Sequence, residues 1–373
     1  MIILGGIMLA LWLGLALLRG GFWRCHIRDD QVEAPPPTTW PAVTAIVPAR
    51  NEADGVQAAI ASLTAQDYPG EFQILLIDDG SSDGTADIAR AAGDAKLTVR
   101  TGAALPLGWT GKLWAMAQGV EAAGETPRYL LFTDADIVHA PGNLRALAAR
   151  AEAGGLGMVS LMARLRCISL AERALIPAFV FFFQMLYPFA RVNRPKGKGA
   201  AAGGCMLVRR DMLAASGGVA AISSALIDDC ALGAQLKRHA PIWLGLTDRA
   251  RSIRAYPHAS DVAAMITRSA YAQLGYSPWL LGGTIFGLAL LYAAPPLCAL
   301  LGDGALRMLG LGAWLLMAML FQPMLRFYQR SPFWGLALPL IAGFYAGCTL
   351  LSAWNYYRGK GGMWKGRAQA VRA

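Results

Sequence analysis

The chain lacks the residues that staple a domain with metal or disulfides. Its six cysteines, at 25, 167, 205, 230, 298 and 348, include no Cys-x-x-Cys pair, and its four histidines do not cluster. A structural zinc site and a disulfide framework are therefore not expected, and reduced cytosolic thiols fit. Acids are scarce as well: 24 stand against 34 lysines and arginines, and the formal charge of +10 favours an anionic partner. A lipid surface or a nucleotide would serve, whereas no recognised nucleic-acid motif is present and nucleic acid is not an expected partner. Charge is absent from residues 1–18 and sparse from residue 278 onward, where Leu, Ala, Gly and aromatics dominate.

The 55% apolar content of the 373 residues exceeds that of an ordinary soluble protein and is concentrated at the two ends. Between them lies a segment of normal charge density. The reading is an anchor at 1–20, a linker at 21–40, a soluble domain at 41–277, membrane segments at 278–354 and a basic tail at 355–373. No basic residue precedes the first apolar run, and Arg19-Gly20-Gly21-Phe22-Trp23-Arg24 offers no small-x-small cleavage site, so an uncleaved anchor is expected. Arg19, Arg24 and Arg28 follow it, which places the N-terminus outside and the central domain in the cytoplasm. Three apolar stretches, 278–301, 306–325 and 333–353, are each long enough to span. Three more crossings would leave the tail outside, yet Arg358, Lys360, Lys365, Arg367 and Arg372 without one acid favour the cytoplasm. One segment is accordingly expected to be re-entrant or interfacial.

The central domain reads as repeated strand, polar turn and helix, which argues a mostly parallel α/β sheet. After Pro35-Pro36-Pro37, the strand Val43-Thr44-Ala45-Ile46-Val47-Pro48 stops at its proline and gives way to Ala49-Arg50-Asn51-Glu52. A second strand, Gln73-Ile74-Leu75-Leu76-Ile77, ends in Asp78-Asp79-Gly80-Ser81-Ser82-Asp83-Gly84-Thr85. Asp78 and Asp79 are acceptors suited to a ribose or a base imide, while Ser82 or Asp83 can simply cap the next helix. No Gly-x-Gly-x-x-Gly follows the first strand, which disfavours a dinucleotide site. Lys112, near a helix start, either neutralises a pyrophosphate or is a surface charge. The strand Leu130-Leu131-Phe132-Thr133 delivers Asp134 and Asp136 at its C-terminal end, where open α/β sheets bind ligands. Two such acids repel unless a cation lies between them, and a hard divalent ion sharing its ligands with phosphates is the natural candidate.

Taken in order, Val47-Pro48-Ala49-Arg50-Asn51-Glu52, Ile77-Asp78-Asp79-Gly80-Ser81-Ser82-Asp83-Gly84-Thr85, Thr133-Asp134-Ala135-Asp136 and Leu226-Ile227-Asp228-Asp229-Cys230-Ala231-Leu232-Gly233 resemble the motifs of family 2 inverting glycosyltransferases with a GT-A fold. More narrowly, residues 109–115, 161–167, 177–190, 201–210, 241–247 and 364–367 resemble the hopene-associated glycosyltransferases of bacteria. The resemblance implies a GT-A (Rossmann-like) domain carrying transmembrane helices, located in the bacterial inner membrane. It also implies a nucleotide-sugar donor, expected to be a uridine diphosphate sugar, and a divalent metal, Mg2+ or Mn2+. On that resemblance Asp79 contacts the uridine with Asp78 beside it, and Pro48, Arg50, Glu52 and Lys112 belong to the donor side. Asp136 holds the metal, assisted by Asp134. Asp229 is the general base, with Asp228 where the family commonly has Glu; both could instead cap the following helix. The family's Gln-x-x-Arg-Trp is reduced here to Met265-Ile266-Thr267-Arg268-Ser269, so Arg268 alone is left as a diphosphate clamp and a single transfer is expected rather than polymer synthesis.

The apolar stretch 174–190, flanked by Arg173, Arg191, Arg194, Lys196 and Lys198, reads as an interfacial helix at about 172–190, or else as a buried core helix. A membrane lipid acceptor, a hopanoid on the resemblance, would enter along it toward Gly203, Gly204 and Cys205. Two other classes remain open: a membrane-tethered sugar nucleotidyltransferase, and a non-catalytic lipid-binding or transport protein.

Overall fold

The computed structural model describes residues 2–364 and 367–368; of the basic tail, Lys365 and Arg372 lie outside the described residues. Eight strands form one sheet: β1 (Val43–Ala49), β2 (Phe72–Asp78), β3 (Leu97–Thr101), β4 (Tyr129–Thr133), β5 (Ile137–His139), β6 (Met158–Arg164), β7 (Cys205–Arg209) and β8 (Ile242–Ser252). Their order is β3-β2-β1-β4-β7-β6-β8-β5. The first four strands in that order run parallel, as expected from strand-turn-helix repeats, and β7 enters antiparallel between β4 and β6. Parallel strands covered on both faces should be apolar throughout, and β1 and β4 are buried at every position.

One strand boundary differs from the sequence reading. β1 does not stop at Pro48 but runs through it to Ala49, with Pro48 opposite Ile77 of β2. The β4 ladder on the other side of β1 ends earlier, at Ile46 opposite Phe132. Pro48 thus sits past the point where β4 needs a donor, so its missing N–H leaves no carbonyl unpaired there.

Helices α1 (Ile2–Leu18), α2 (Ala53–Thr64), α3 (Thr85–Ala92), α4 (Gly111–Ala122), α5 (Asn143–Ala153) and α6 (Leu170–Leu186) precede β7. α6 starts with a capping box in which Glu172 N–H donates to Ser169 Oγ at 3.1 Å and Ser169 N–H donates to Glu172 Oε2 at 2.8 Å. It continues through Pro177 without breaking. Its aromatic face is covered by the chain's own helices: Phe181 packs on Phe22 and Phe321, and Phe182 on Tyr292 and Tyr345, at ring-centroid distances of 5.0–5.7 Å. Both ends are tied to the sheet domain or its flanking helices, through Ser169 Oγ to Tyr256 O at 2.9 Å and Gln273 Nε2 to the Tyr187 hydroxyl at 2.7 Å. The helix read from sequence as interfacial lies as a layer between the domain and the apolar helices, with Leu170 and Leu186 left exposed.

Among the described residues three helical stretches are long and apolar enough to cross a membrane, Leu170–Val192, Pro278–Leu301 and Gly304–Phe327, with Ile2–Leu18 shorter. α1 packs along the later pair, Trp12 Nε1 donating to Leu291 O at 2.8 Å. The expected third C-terminal crossing at 333–353 becomes a short turn, Pro332–Gly335, and a helix, Leu338–Tyr357. Outward-facing Ile3, Leu17, Trp279, Phe286, Met319 and Leu340 leave the bundle with an apolar exterior, as a lipid-facing surface requires.

Candidate active site

The turns after β1 and β2 interlock. Asn51 N–H donates to Ser81 Oγ at 2.9 Å, and Ser82 N–H returns to Asn51 Oδ1 at 3.0 Å. Asp83 accepts from Ala53 N at 3.0 Å and Thr85 N at 3.1 Å, and Glu52 N–H donates to Thr85 Oγ1 at 2.8 Å. Asp83 is thus a turn-holding residue, although the residue directly preceding α3 is Gly84, at φ +84°. Asp78 also faces inward, accepting from Ser81 N at 3.3 Å. Asp79, buried at the tip of β2, forms an ion pair with Arg50 at 3.6 Å, and the Arg50 guanidinium also donates to Asp79 O.

A second group forms where β4, α4 and the helix Asp228–Leu236 meet. Lys112, in the first turn of α4, places Nζ 2.8 Å from Asp134 Oδ1 and 3.1 Å from Asp228 Oδ2. The latter contact is an ion pair only, because that oxygen accepts no hydrogen bond. Asp229 Oδ2 accepts from Gly203 N at 2.8 Å and Oδ1 from Cys230 N at 2.7 Å. A Cβ on Gly203 would come 3.3 Å from Asp229 Oδ2 and 3.4 Å from Lys112 Nζ, so a side chain there would require both to give way slightly. Burial, then the Asp228 charge, push the Asp229 carboxyl up to about 6, against the pull of Lys112 and the two N–H groups. Asp134 is raised by burial and by Asp136, partly offset by Lys112. Burial alone would lower Lys112, but Asp134 and Asp228 outweigh it and hold the ammonium charged.

The third group was not anticipated. Arg254, just past the end of β8, donates through Nε to Asp136 Oδ2 at 2.7 Å and through Nη2 to both Glu52 oxygens at 2.7 Å. Ser252 Oγ joins it at 3.3 Å from Asp136 Oδ2. The usable signal was positional, since Arg251-Ser252-Ile253-Arg254 terminates a long apolar strand at the same rim. Arg268, the expected clamp, instead stands exposed at the C-terminal end of the helix Ala259–Thr267 with no ion pair among the described residues. The arginine paired with the acids Glu52 and Asp136 is Arg254.

Cys205 also departs from expectation. Its side chain is fully buried, 3.7 Å from Asn143 Nδ2, and is part of the core; of the three residues expected on the acceptor path, Gly203 borders Asp229, whereas Gly204 packs against Ile137 and Ala163. Gly204 O is held by the Thr133 hydroxyl at 2.9 Å. Thr133 Oγ1 in turn lies 2.9 Å from His139 Nε2, and His139 Nδ1 lies 2.9 Å from Asn143 Nδ2. With Asn143 donating to Nδ1, the imidazole carries its proton on Nε2 and the chain runs donor to acceptor without conflict.

No group of three or more His, Cys, Asp or Glu side chains that could hold a metal exists among the described residues. Asp134 and Asp136 do supply two carboxylates at one strand end, each with one oxygen paired to a cation, while Asp134 Oδ2 and Asp136 Oδ1 accept no hydrogen bond among the described residues. That set suits Mg2+ or Mn2+, which take one or two carboxylates and complete their shell with phosphate and water. Two cavities of about 450 and 480 Å3 lie elsewhere, one bordered by Ile77, Arg100 and Gln118 and the other by Arg128 and Arg210.

Acids gathered at the C-terminal ends of β1, β2 and β4, on a sheet interrupted by the antiparallel β7, define the GT-A class of fold. Residues 44–217 match the family model Glycosyl transferase family 2. Glycosyltransferase AglE of Haloferax volcanii is 43% identical over 54 residues, 14% of this chain and 18% of that protein. An N-acetylglucosaminyltransferase of Rhizobium meliloti is 52% identical over 42 residues, 11% of this chain and 10% of its own length. The matched part thus spans under a fifth of either curated relative. Among solved structures, the mannosyltransferase PcManGT from Pyrobaculum calidifontis, in complex with GDP-Man and Mn2+, superposes over 95% of this chain and 99% of its own with a TM-score of 0.62 at 19% identity. The fold is shared along nearly the whole length, apolar helices included.

Proposed function

We propose that the protein transfers one sugar from a nucleoside diphosphate sugar to a lipid acceptor at the membrane surface, with inversion at the anomeric carbon. The observation that carries the reading is Asp229: a carboxylate pushed up to about 6, fixed by two N–H groups and linked through Lys112 to the acids at the end of β4. An acceptor hydroxyl becomes nucleophilic when a base takes its proton in the transition state, and a carboxyl titrating near 6 is ionised yet basic at neutral pH. One base facing the donor predicts inversion. Asp228 raises the basicity of Asp229, and Lys112 offsets part of that rise. Asp79, paired with Arg50, would contact the nucleoside, and a uridine diphosphate sugar is the donor we favour. Asp134 and Asp136 would hold Mg2+ or Mn2+, whose chemistry is to neutralise charge on the leaving diphosphate. Arg254 and Lys112 add fixed positive charge on that side.

A lipid acceptor is supported by the place of α6. It lies between the apolar helices and the sheet domain, and at its end Tyr187 sits beside Cys230 and the base Asp229. The acceptor hydroxyl would arrive past Tyr187 toward Gly203 and Gly204, and a rigid polycyclic alcohol of the hopanoid type is the acceptor we favour. The membrane is the bacterial inner membrane, with the catalytic domain cytoplasmic.

Purified protein incubated with labelled UDP- and GDP-sugars, Mg2+ or Mn2+ and a bacterial lipid extract tests the reading. Label recovered in lipid supports it, and an Asp229→Asn variant should lose about 100-fold or more of the rate. Conversion of the labelled nucleotide sugar to sugar 1-phosphate and nucleoside triphosphate on addition of pyrophosphate would instead mark a nucleotidyltransferase, and full activity in Asp229→Asn would remove Asp229 as base.

A further inference from the structure

Arg254 is the only described cation in contact with Asp136, and the way it is held bears on the order in which the donor site fills. Its guanidinium forks across two elements: Nε to Asp136 Oδ2 at the end of β4, Nη2 to Glu52 in the turn after β1, all at 2.7 Å. Both carboxylates are largely buried, with side-chain exposures of 12% for Asp136 and 13% for Glu52. The arginine backbone is anchored too, Ile253 N–H donating to Asp136 O at 3.0 Å and Arg254 N–H to Ser252 Oγ at 3.3 Å. Charge-assisted bidentate bonds of this kind are the strong ones.

A divalent cation approaching Asp136 alone must compete with that fork. It would find one further carboxylate, Asp134, itself paired with Lys112. A diphosphate changes the balance on both sides. It offers the guanidinium an alternative bidentate partner, and it brings the oxygen ligands a hard cation needs.

We infer that Arg254 holds the cation position at Asp136 in the absence of donor, so that a divalent cation binds together with a nucleoside diphosphate and not ahead of it. The inference rests on the donor reading above. Metal and nucleotide then tighten each other by the same factor, because linkage is reciprocal. A lysine at 254 would keep the charge but could not bridge Asp136 and Glu52.

The test uses the full chain in detergent micelles, with Mn2+ binding followed by loss of the free-ion electron paramagnetic resonance signal, alone and with UDP or GDP. Arg254→Gln should bind Mn2+ alone about tenfold more tightly than the unmodified protein, and its gain on adding nucleotide should shrink by a similar factor. Arg254→Lys, which retains the charge and loses the fork, should move in the same direction by less, and it stands in should the glutamine variant fail to fold. Mn2+ binding that is unchanged in these variants, with UDP or GDP still bound, overturns the inference alone. Failure of the unmodified protein to bind either nucleotide, with or without Mn2+, overturns the donor reading and the inference together.

Discussion

Gly203 donates its backbone N–H to Asp229 Oδ2 at 2.8 Å, and the hydrogen it carries in place of a side chain points at that same carboxylate. A methyl there would lie 3.3 Å from Oδ2 and 3.4 Å from Asp229 Cβ, tighter than ordinary packing, and Lys112 would be crowded as well. Gly203→Ala should therefore tilt the base and nudge Lys112, while the Asp79–Arg50 pair on the nucleoside side stays as it is. We expect a fall in kcat of about 10- to 100-fold, since small misplacements of a reacting group carry costs of that size. UDP or GDP affinity, measured by calorimetry, should stay within a factor of about two of the unmodified protein, below the energy of one lost hydrogen bond.

The raised carboxyl of Asp229 sets a pH dependence with a definite sign. The base works ionised, so the rate should climb through pH about 6 and level off above it. Asp228→Asn removes a neighbouring negative charge and should move that limb to lower pH, whereas Lys112→Met removes the compensating cation and should move it up. Rate profiles of the three proteins at saturating donor settle the order. A limb that stays put in both variants would detach the titrating group from Asp229.

Asp79, Asp134 and Asp136 were readable from sequence because each follows an apolar strand and the parallel sheet brings the ends of β1, β2 and β4 to one rim, whereas Asp228 and Asp229 open a helix and were readable only from their motif. Arg254 was not readable for a reason of distance: it is over a hundred positions from Asp136 in sequence and is delivered by β8, whose place at the far side of β6 no local pattern discloses. Pro48 misled by its reputation as a strand terminator, since the ladder it would have broken had already ended at Ile46. The covering of α6 was equally hidden, because an aromatic stripe looks the same whether lipid or Phe321 and Tyr345 lie against it.

The buried chain from Asn143 through His139 and Thr133 to Gly204 O fixes the segment that carries Gly203. Thr133→Val keeps the shape but strands His139 Nε2 and Gly204 O without a partner, at about 1–3 kcal/mol for a buried unsatisfied group. A lower thermal midpoint together with a reduced kcat is the expected pair of effects. Burial pushes His139 down to about 4, so it is neutral in the fold while an exposed histidine would begin to charge near 6.5. Unfolded chains then take up a proton that the native state refuses, and this part of the stability is lost progressively as pH falls from 6.5 toward 4. Replacing His139 with Gln should flatten the thermal midpoint over that window.

We propose that a re-entrant segment at 328–357 reconciles the number of crossings with the charge of the tail. Helix Gly304–Phe327 returns to the domain, where Arg28 and Arg164 lie over the Phe327 ring at 4.7 and 5.3 Å. From there the chain runs back along the same helix, with Gln322 Nε2 donating to Pro332 O and, two turns deeper, Trp314 Nε1 donating to Leu336 O, each at 3.1 Å. Helix Leu338–Tyr357 then climbs to the domain side again: Ser352 Oγ donates to Thr267 O at 2.6 Å, and the Tyr357 and Tyr271 hydroxyls meet at 2.8 Å. A segment that starts and ends on one side adds no crossing, so Lys360 should share the side of the catalytic domain while Asp303 lies opposite. Single cysteines at 303, 329 and 360, placed in a chain whose six native cysteines are replaced by serine or alanine, can be probed in intact cells with a membrane-impermeant maleimide. Labelling of Asp303→Cys from outside, with Gln329→Cys and Lys360→Cys labelled only after permeabilisation, is the expected pattern. External labelling of Lys360→Cys would make 338–357 a true span and return the positive tail to the wrong side of the membrane.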